Sequence, residues 1–164
     1  MIDLRGPMPA LALQLDLVDI EVHVRLHNAG NAAAWVLHDI HVQPSRPILR
    51  DAAGHEVAVV DDRSELKVDQ RVFESMFVAL PPGASLDLET SVFERNEQRG
   101  KPRRWNFTWG DFHYEGLAPG KYTLQFAWRS SIREVLDDQT EQPREVAGVW
   151  LGELLSEIET IELR

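Results

Sequence analysis

The chain has 164 residues, 43% of them apolar and 27% charged, with a formal net charge of -10 and no cysteine. That length holds one good core, so a single domain over 1-164 is expected. The acidic balance argues against a nucleic-acid backbone or an anionic membrane as main partner, because both need a basic face. Without cysteine there is no disulfide, thiolate metal site or thiol nucleophile.

The start, Met1-Ile-Asp-Leu-Arg-Gly-Pro7, lacks the apolar stretch of a signal peptide, and no run reaches the length of a membrane span. As written the chain is expected to be cytoplasmic without membrane insertion; a processed form would be periplasmic or secreted.

Leu11, Leu13, Leu15 and Leu17 alternate on odd positions, whereas Ile20, Val22, Val24 and Leu26 alternate on even ones. A period of two changes parity only through a turn, a bulge or a change of sheet, so two strands meeting near Val18-Asp19 are expected. Asn28-Ala-Gly-Asn31 then marks a reversal. A strand follows through Trp35–Val42, interrupted by Pro44 and Pro47. The stretch Pro47–Val60 reads as a hairpin turning at Asp51 to Gly54, and Asp61–Gln70 as a charged connection. Apolar residues return over Val72–Leu80, Pro81-Pro-Gly83 makes a turn, and Leu86, Leu88 and Val92 continue on one face. Glu94–Arg104 is the most polar stretch and reads as a mobile loop within a polar insertion around 94-111.

Leu117-Ala-Pro-Gly-Lys-Tyr-Thr-Leu-Gln-Phe-Ala-Trp128 runs a Pro-Gly turn directly into an alternating strand, with Tyr122, Leu124, Phe126 and Trp128 on one face. A tyrosine at the entrance of such a strand is expected to anchor the turn through its hydroxyl. Ser130–Glu145, poor in apolar residues, reads as a long crossover or hairpin loop, and Val146–Leu163 as the closing strand or pair, broken by a bulge or a short helical turn. With about eight to ten strands and no amphipathic helix, the expected class is an all-β, immunoglobulin-like Greek-key β-sandwich.

Four motifs carry a resemblance: Val24-Arg-Leu-His-Asn-Ala-Gly30, Leu80-Pro-Pro-Gly83, Leu117-x-Pro-Gly-x-Tyr-x-Leu124, and Trp150-x-Gly152 followed by Ser156. On them the chain resembles the accessory N-terminal domain of deuterolysin-type metallopeptidases and, more distantly, the immunoglobulin-like intracellular proteinase inhibitors of bacilli. The resemblance implies a fold and leaves function open. The peptidase's zinc chemistry does not carry over, because no His-Glu-x-x-His occurs.

No cofactor is expected, since no phosphate loop or dinucleotide fingerprint occurs. His23 and His27 share a strand face about 13 Å apart, too far to ligate one ion, and His38 and His41 have opposite parity. Asp61-Asp62 with Glu65 and Asp137-Asp138 with Glu141 lack a spaced calcium loop and read as solvated. No Gly-x-Ser-x-Gly elbow or positioned triad exists, so an enzyme is not expected.

Arg99, Lys101, Arg103 and Arg104 form the main basic cluster, and Trp105, Phe107 and Trp109 alternate directly after it. These aromatics fit either the core, which large apolar side chains favour, or a recognition face for sugar rings or a protein. The expected function is a non-catalytic module that binds a protein partner through loops Glu94–Arg104 and Ser130–Glu145. Arg99, Arg103, Arg104, Trp105, Phe107 and Trp109 are the candidate surface. The alternatives are a peptidase inhibitor, a carbohydrate-binding module on the Trp105/Phe107/Trp109 face, and an assembly subunit pairing through a strand edge. Oligomeric state is left open.

Overall fold

The computed structural model describes residues 9–37, 45–62, 71–132 and 134–164. Within them the chain forms fourteen strands and one 3-10 turn, Glu74–Met76. The parity change at Val18-Asp19 is a hairpin. Strand β1 (Leu11–Val18) pairs with β2 (Glu21–Asn28) from Leu11↔Asn28 to Val18↔Glu21. Asp19 holds φ 58 in the two-residue connection, a left-handed conformation that a short polar side chain tolerates.

Four further strands extend this hairpin into a six-stranded antiparallel sheet. In spatial order they are β7 (Ser85–Asn96), β8 (Arg104–Trp109), β9 (Phe112–Leu117) and β5 (Asp61–Asp62). The opposing sheet is organised by β10 (Gly120–Ser130), the alternating strand legible in the sequence. On one edge β10 pairs with β4 (Arg46–Arg50); on the other it pairs with β13 (Gly152–Leu155) and β14 (Glu159–Leu163), laid end to end. Where those two meet, the buried Ser156 replaces a ladder rung. Its Oγ accepts from the Phe126 N–H at 2.9 Å, and its own N–H donates to the Phe126 carbonyl at 2.9 Å.

The two sheets enclose one core and make an all-β sandwich. Val22, Val24 and Leu26 face Leu124, Phe126 and Trp128 across it, all at 1% exposure or less. A smaller apolar cluster, Leu37, Val72, Phe77 and Val135, lies beneath two two-stranded sheets. One joins β3 (Ala34–Leu37) to β6 (Phe77–Leu80); the other joins β11 (Glu134–Leu136) to β12 (Pro143–Glu145).

All four resemblance motifs acquire physical roles. Asn28 is fully buried and uses its whole side chain. Oδ1 accepts from the N–H of Ala10 (3.3 Å) and Gly30 (3.0 Å), and Nδ2 donates to the carbonyls of Ala32 (2.8 Å) and Leu80 (2.9 Å). Its backbone carbonyl also accepts from Gly83 N–H at 2.7 Å, so the Asn-x-Gly and Leu-Pro-Pro-Gly turns are one unit. Tyr122 donates to the Ala118 carbonyl at 2.8 Å, the anchor expected of it. Trp150 stacks on Trp128 with ring centroids 5.7 Å apart. A Cβ at Gly152 would sit 2.8 Å from the Trp150 ring, so only glycine admits that close approach.

Several expectations are corrected. Glu94–Arg104 is not a loop throughout: Glu94 to Asn96 end β7 and Arg104 opens β8, paired Asn96↔Arg104. The exposed charges of β7 conceal its strand character. Leu86, Leu88 and Val92 do not share a face, because Val24 pairs with Glu89 and Arg25 with Asp87, leaving Leu88 as the extra residue of a bulge. Beyond it odd residues point inward, with Phe93 buried and Val92 36% exposed. Trp35, which opens the expected strand to Val42, is 40% exposed on a four-residue strand, Ala34–Leu37, of a peripheral sheet. The expected strand to Val42 is described only through Leu37; His38, His41 and Glu65 lie outside the described residues.

Candidate functional site

The aromatic run is the first test of the candidate surface. Trp105, Phe107 and Trp109 are 3%, 1% and 1% exposed. Phe107 stacks on Phe93 at 4.3 Å between centroids, and Trp109 meets Phe126 of the opposing sheet at 4.5 Å. Trp109 Nε1 donates to Ser45 Oγ (2.9 Å), and the Tyr114 hydroxyl donates to the Pro47 carbonyl (3.2 Å). Trp109 and Tyr114 thereby join the two sheets, each delivering its polar tip to the far side. The strand spacing is that expected, but the face is the inner one, so the three residues make no exposed platform.

The basic cluster lies on the outside, on the hairpin that connects β7 to β8. The loop proper is 97–103, closed by the Lys101 N–H donating to the Gln98 carbonyl (3.0 Å), with Gly100 at φ 77. Arg103 is a brace: its Nε meets Glu97 Oε1 at 3.0 Å, and its Nη1 donates to the Arg164 carbonyl at 3.2 Å. Arg104, half-buried, donates from Nη1 to the Arg103 carbonyl at 3.2 Å. Arg99 and Lys101 are exposed and have no side-chain partner among the described residues. A groove of about 410 Å³ opens beside them, lined by Asn96, Gln98, Lys101, Pro102, Arg104 and Glu115. The structure thus separates the candidate residues: Arg99, Arg103 and Arg104 sit at one hairpin end, while Trp105, Phe107 and Trp109 run away from it into the core.

The second candidate loop, Ser130–Glu145, contains the β11–β12 hairpin, and its charges are engaged within the loop and by the segment 71–75. Asp137 Oδ1 accepts from the N–H groups of Thr140 and Gln139, both at 2.9 Å, and from Thr140 Oγ1 at 3.2 Å. Those donors, the Thr140 amide first, hold the Asp137 carboxyl below the ordinary aspartate range. Asp138 accepts from the Ser75 N–H (3.2 Å) and hydroxyl (2.7 Å), Glu141 pairs with Arg71 (3.4 Å), and Arg144 pairs with Glu74. These contacts tie the loop to Arg71 and to the 3-10 turn Glu74–Met76.

The described histidines are likewise engaged locally. His23 lies between Glu21 (3.3 Å) and Thr90 (3.2 Å), His27 is 2.9 Å from Ser85 Oγ, and His113 is 2.7 Å from Thr108 Oγ1. Among the described residues no three His, Asp or Glu side chains converge on a common point, and no helix is long and apolar enough to cross a membrane.

Sequence reasoning missed a second concavity. A cleft of about 490 Å³ opens where β7 and β8 approach β14 and the β1–β2 turn, with Arg95 and Trp105 on its wall. Its residues are far apart in the chain, so no local motif announces it. Comparison with known proteins gives this geometry no relative: no protein family, curated protein or solved structure matches the chain.

Proposed function

We propose that the chain is a non-catalytic binding domain that recognises a protein partner through hairpin loop 97–103. Arg99 and Lys101 carry the reading. They are exposed cations without a carboxylate partner among the described residues, on a protein of net charge -10. Arg103 holds the loop by bonding Glu97 and the Arg164 carbonyl, and a loop already ordered loses less conformational entropy on docking. Cations isolated on an acidic surface steer an acidic patch of a partner to one place. The scaffold is read as immunoglobulin-like, supported by the Tyr122 hydroxyl on the Ala118 carbonyl at the entrance of β10. Loops on such a rigid frame are the usual seat of recognition.

The test uses the wild type and Arg99→Glu/Lys101→Glu as paired baits for proteins of the source cell at low salt. A protein held by the wild type, lost from the double variant and released by about 0.5 M salt is expected. Identical protein sets on both baits would overturn the reading.

A further inference from the structure

Two groups on the wall of the inter-sheet cleft lack a polar partner among the described residues, one a buried indole N–H and the other an exposed guanidinium. Trp105 is 3% exposed, and its indole N–H has no acceptor among the described residues. Among the polar aromatic tips of β8 and β9 it is the exception, since those of Trp109 and Tyr114 both find partners; buried donors are ordinarily satisfied. The second group is Arg95, whose guanidinium carbon lies 5.2 Å from the Trp105 ring centroid and which forms no ion pair among the described residues. Nearby cations are neutralised, Arg164 by Glu162 at 3.2 Å and Arg103 by Glu97 at 3.0 Å.

We propose that this cleft binds a carboxylate carried on an apolar body, with Arg95 and the Trp105 indole N–H as its donors. Indole and guanidinium only donate, so the complementary group must accept from both. A planar carboxylate matches the guanidinium fork and can leave one oxygen for the indole. Ile20, Phe93 and Ile161 line the cleft beside them and suit an apolar body. Asp19 also lines it, and its charge selects a single carboxylate over a multiply charged phosphate. The carboxylate can come from a small molecule or from an acidic side chain, and the two sources are separable by experiment. The site does not depend on the role given to loop 97–103.

The five tryptophans give separate indole N–H resonances in a ¹⁵N–¹H spectrum. Trp105 is identified by Trp105→Phe or, should that variant fail to fold, by through-space contacts to Arg95. Phenylacetate, its neutral analogue phenylethanol, and a short peptide with Glu beside Phe are titrated in turn. Phenylacetate or the peptide is expected to shift the Trp105 resonance downfield to saturation while phenylethanol does not, and the tighter of the two names the source. Arg95→Gln should weaken binding about tenfold or more. Asp19→Asn, which suits the left-handed backbone there, should tighten it about threefold. A Trp105 resonance unmoved by either carboxylate at about 20 mM, moved equally by phenylethanol, or titrating equally in Arg95→Gln would overturn the proposal.

Discussion

Replacing Asn28 by alanine removes the side chain that joins two turns and the end of the β1–β2 hairpin. Four groups lose their partner at once: the N–H of Ala10 and Gly30 and the carbonyls of Ala32 and Leu80. Only the Leu80 bond is fully buried, and the other three groups are near enough to solvent to recover water in part. An orphaned buried polar group costs about 1–3 kcal/mol, so the Leu80 carbonyl with discounted contributions from the others gives about 3 kcal/mol. For a chain of this length that lowers Tm by roughly 6–12 °C. Urea unfolding followed by tryptophan fluorescence measures the loss directly.

Asn28→Asp sharpens the test. The carboxylate keeps the two acceptor roles but turns its second oxygen toward two carbonyls. Burial and those carbonyls raise its folded pKa above the unfolded value, so the variant is most stable at low pH and loses stability as pH rises through the folded pKa. An alanine variant within about 1 kcal/mol of wild type, or an Asn28→Asp variant with the wild type's pH profile, would refute the reasoning.

Three other outcomes follow from the same physics. Burial first, then the Asp51 charge, raises the Tyr122 phenol above its ordinary value of 10.0; the folded state therefore keeps a proton the unfolded state releases, and stability falls as pH rises through the folded pKa. Tyr122→Phe should cost about 1 kcal/mol at neutral pH and flatten that alkaline slope in urea titrations. Asp137 is depressed from 3.8, so its contribution is present above the ordinary carboxyl pKa and disappears as pH falls through the lower folded value; carboxyl-carbon NMR should show its midpoint below the ordinary aspartate value, and Asp137→Asn should remove the titration. Phe107→Ala, which empties a site between Phe93, Trp109 and Tyr114, should cost about 3–5 kcal/mol, whereas an exposed platform residue would cost almost nothing on denaturant unfolding.

What the sequence disclosed and withheld follows the range of each interaction. The β10 alternation, the turn at Asp51 to Gly54 and the reversal at Asn28 are local patterns, and the structure has them where they were expected. Period-two spacing placed Trp105, Phe107 and Trp109 on one face but could not say which side held the other sheet. That was decided by Ser45, Pro47 and Phe126, distant in the chain. The charges of Glu94 and Arg95 concealed the end of β7 behind loop-like composition, and the Leu88 bulge reversed its parity without a Gly or Pro to mark it. Both halves of the Asn28 unit were visible as turns, yet their joining through one amide spans 52 residues. Of the candidate site, the cations were legible because charge clusters are local. Arg103's brace and the Arg95–Trp105 cleft were not, because each needs the fold to bring its parts together.

The central claim, recognition of a protein through loop 97–103, is tested most directly by photo-crosslinking inside the source cell. A photoreactive residue is placed in turn at Gln98, at Arg99, and at the exposed Lys121 on the opposing sheet. The account predicts one protein crosslinked from Gln98 and Arg99, absent from Lys121 and lost when Lys101→Glu is added. Crosslinks of equal yield from all three positions, or none from Gln98 and Arg99, would contradict it.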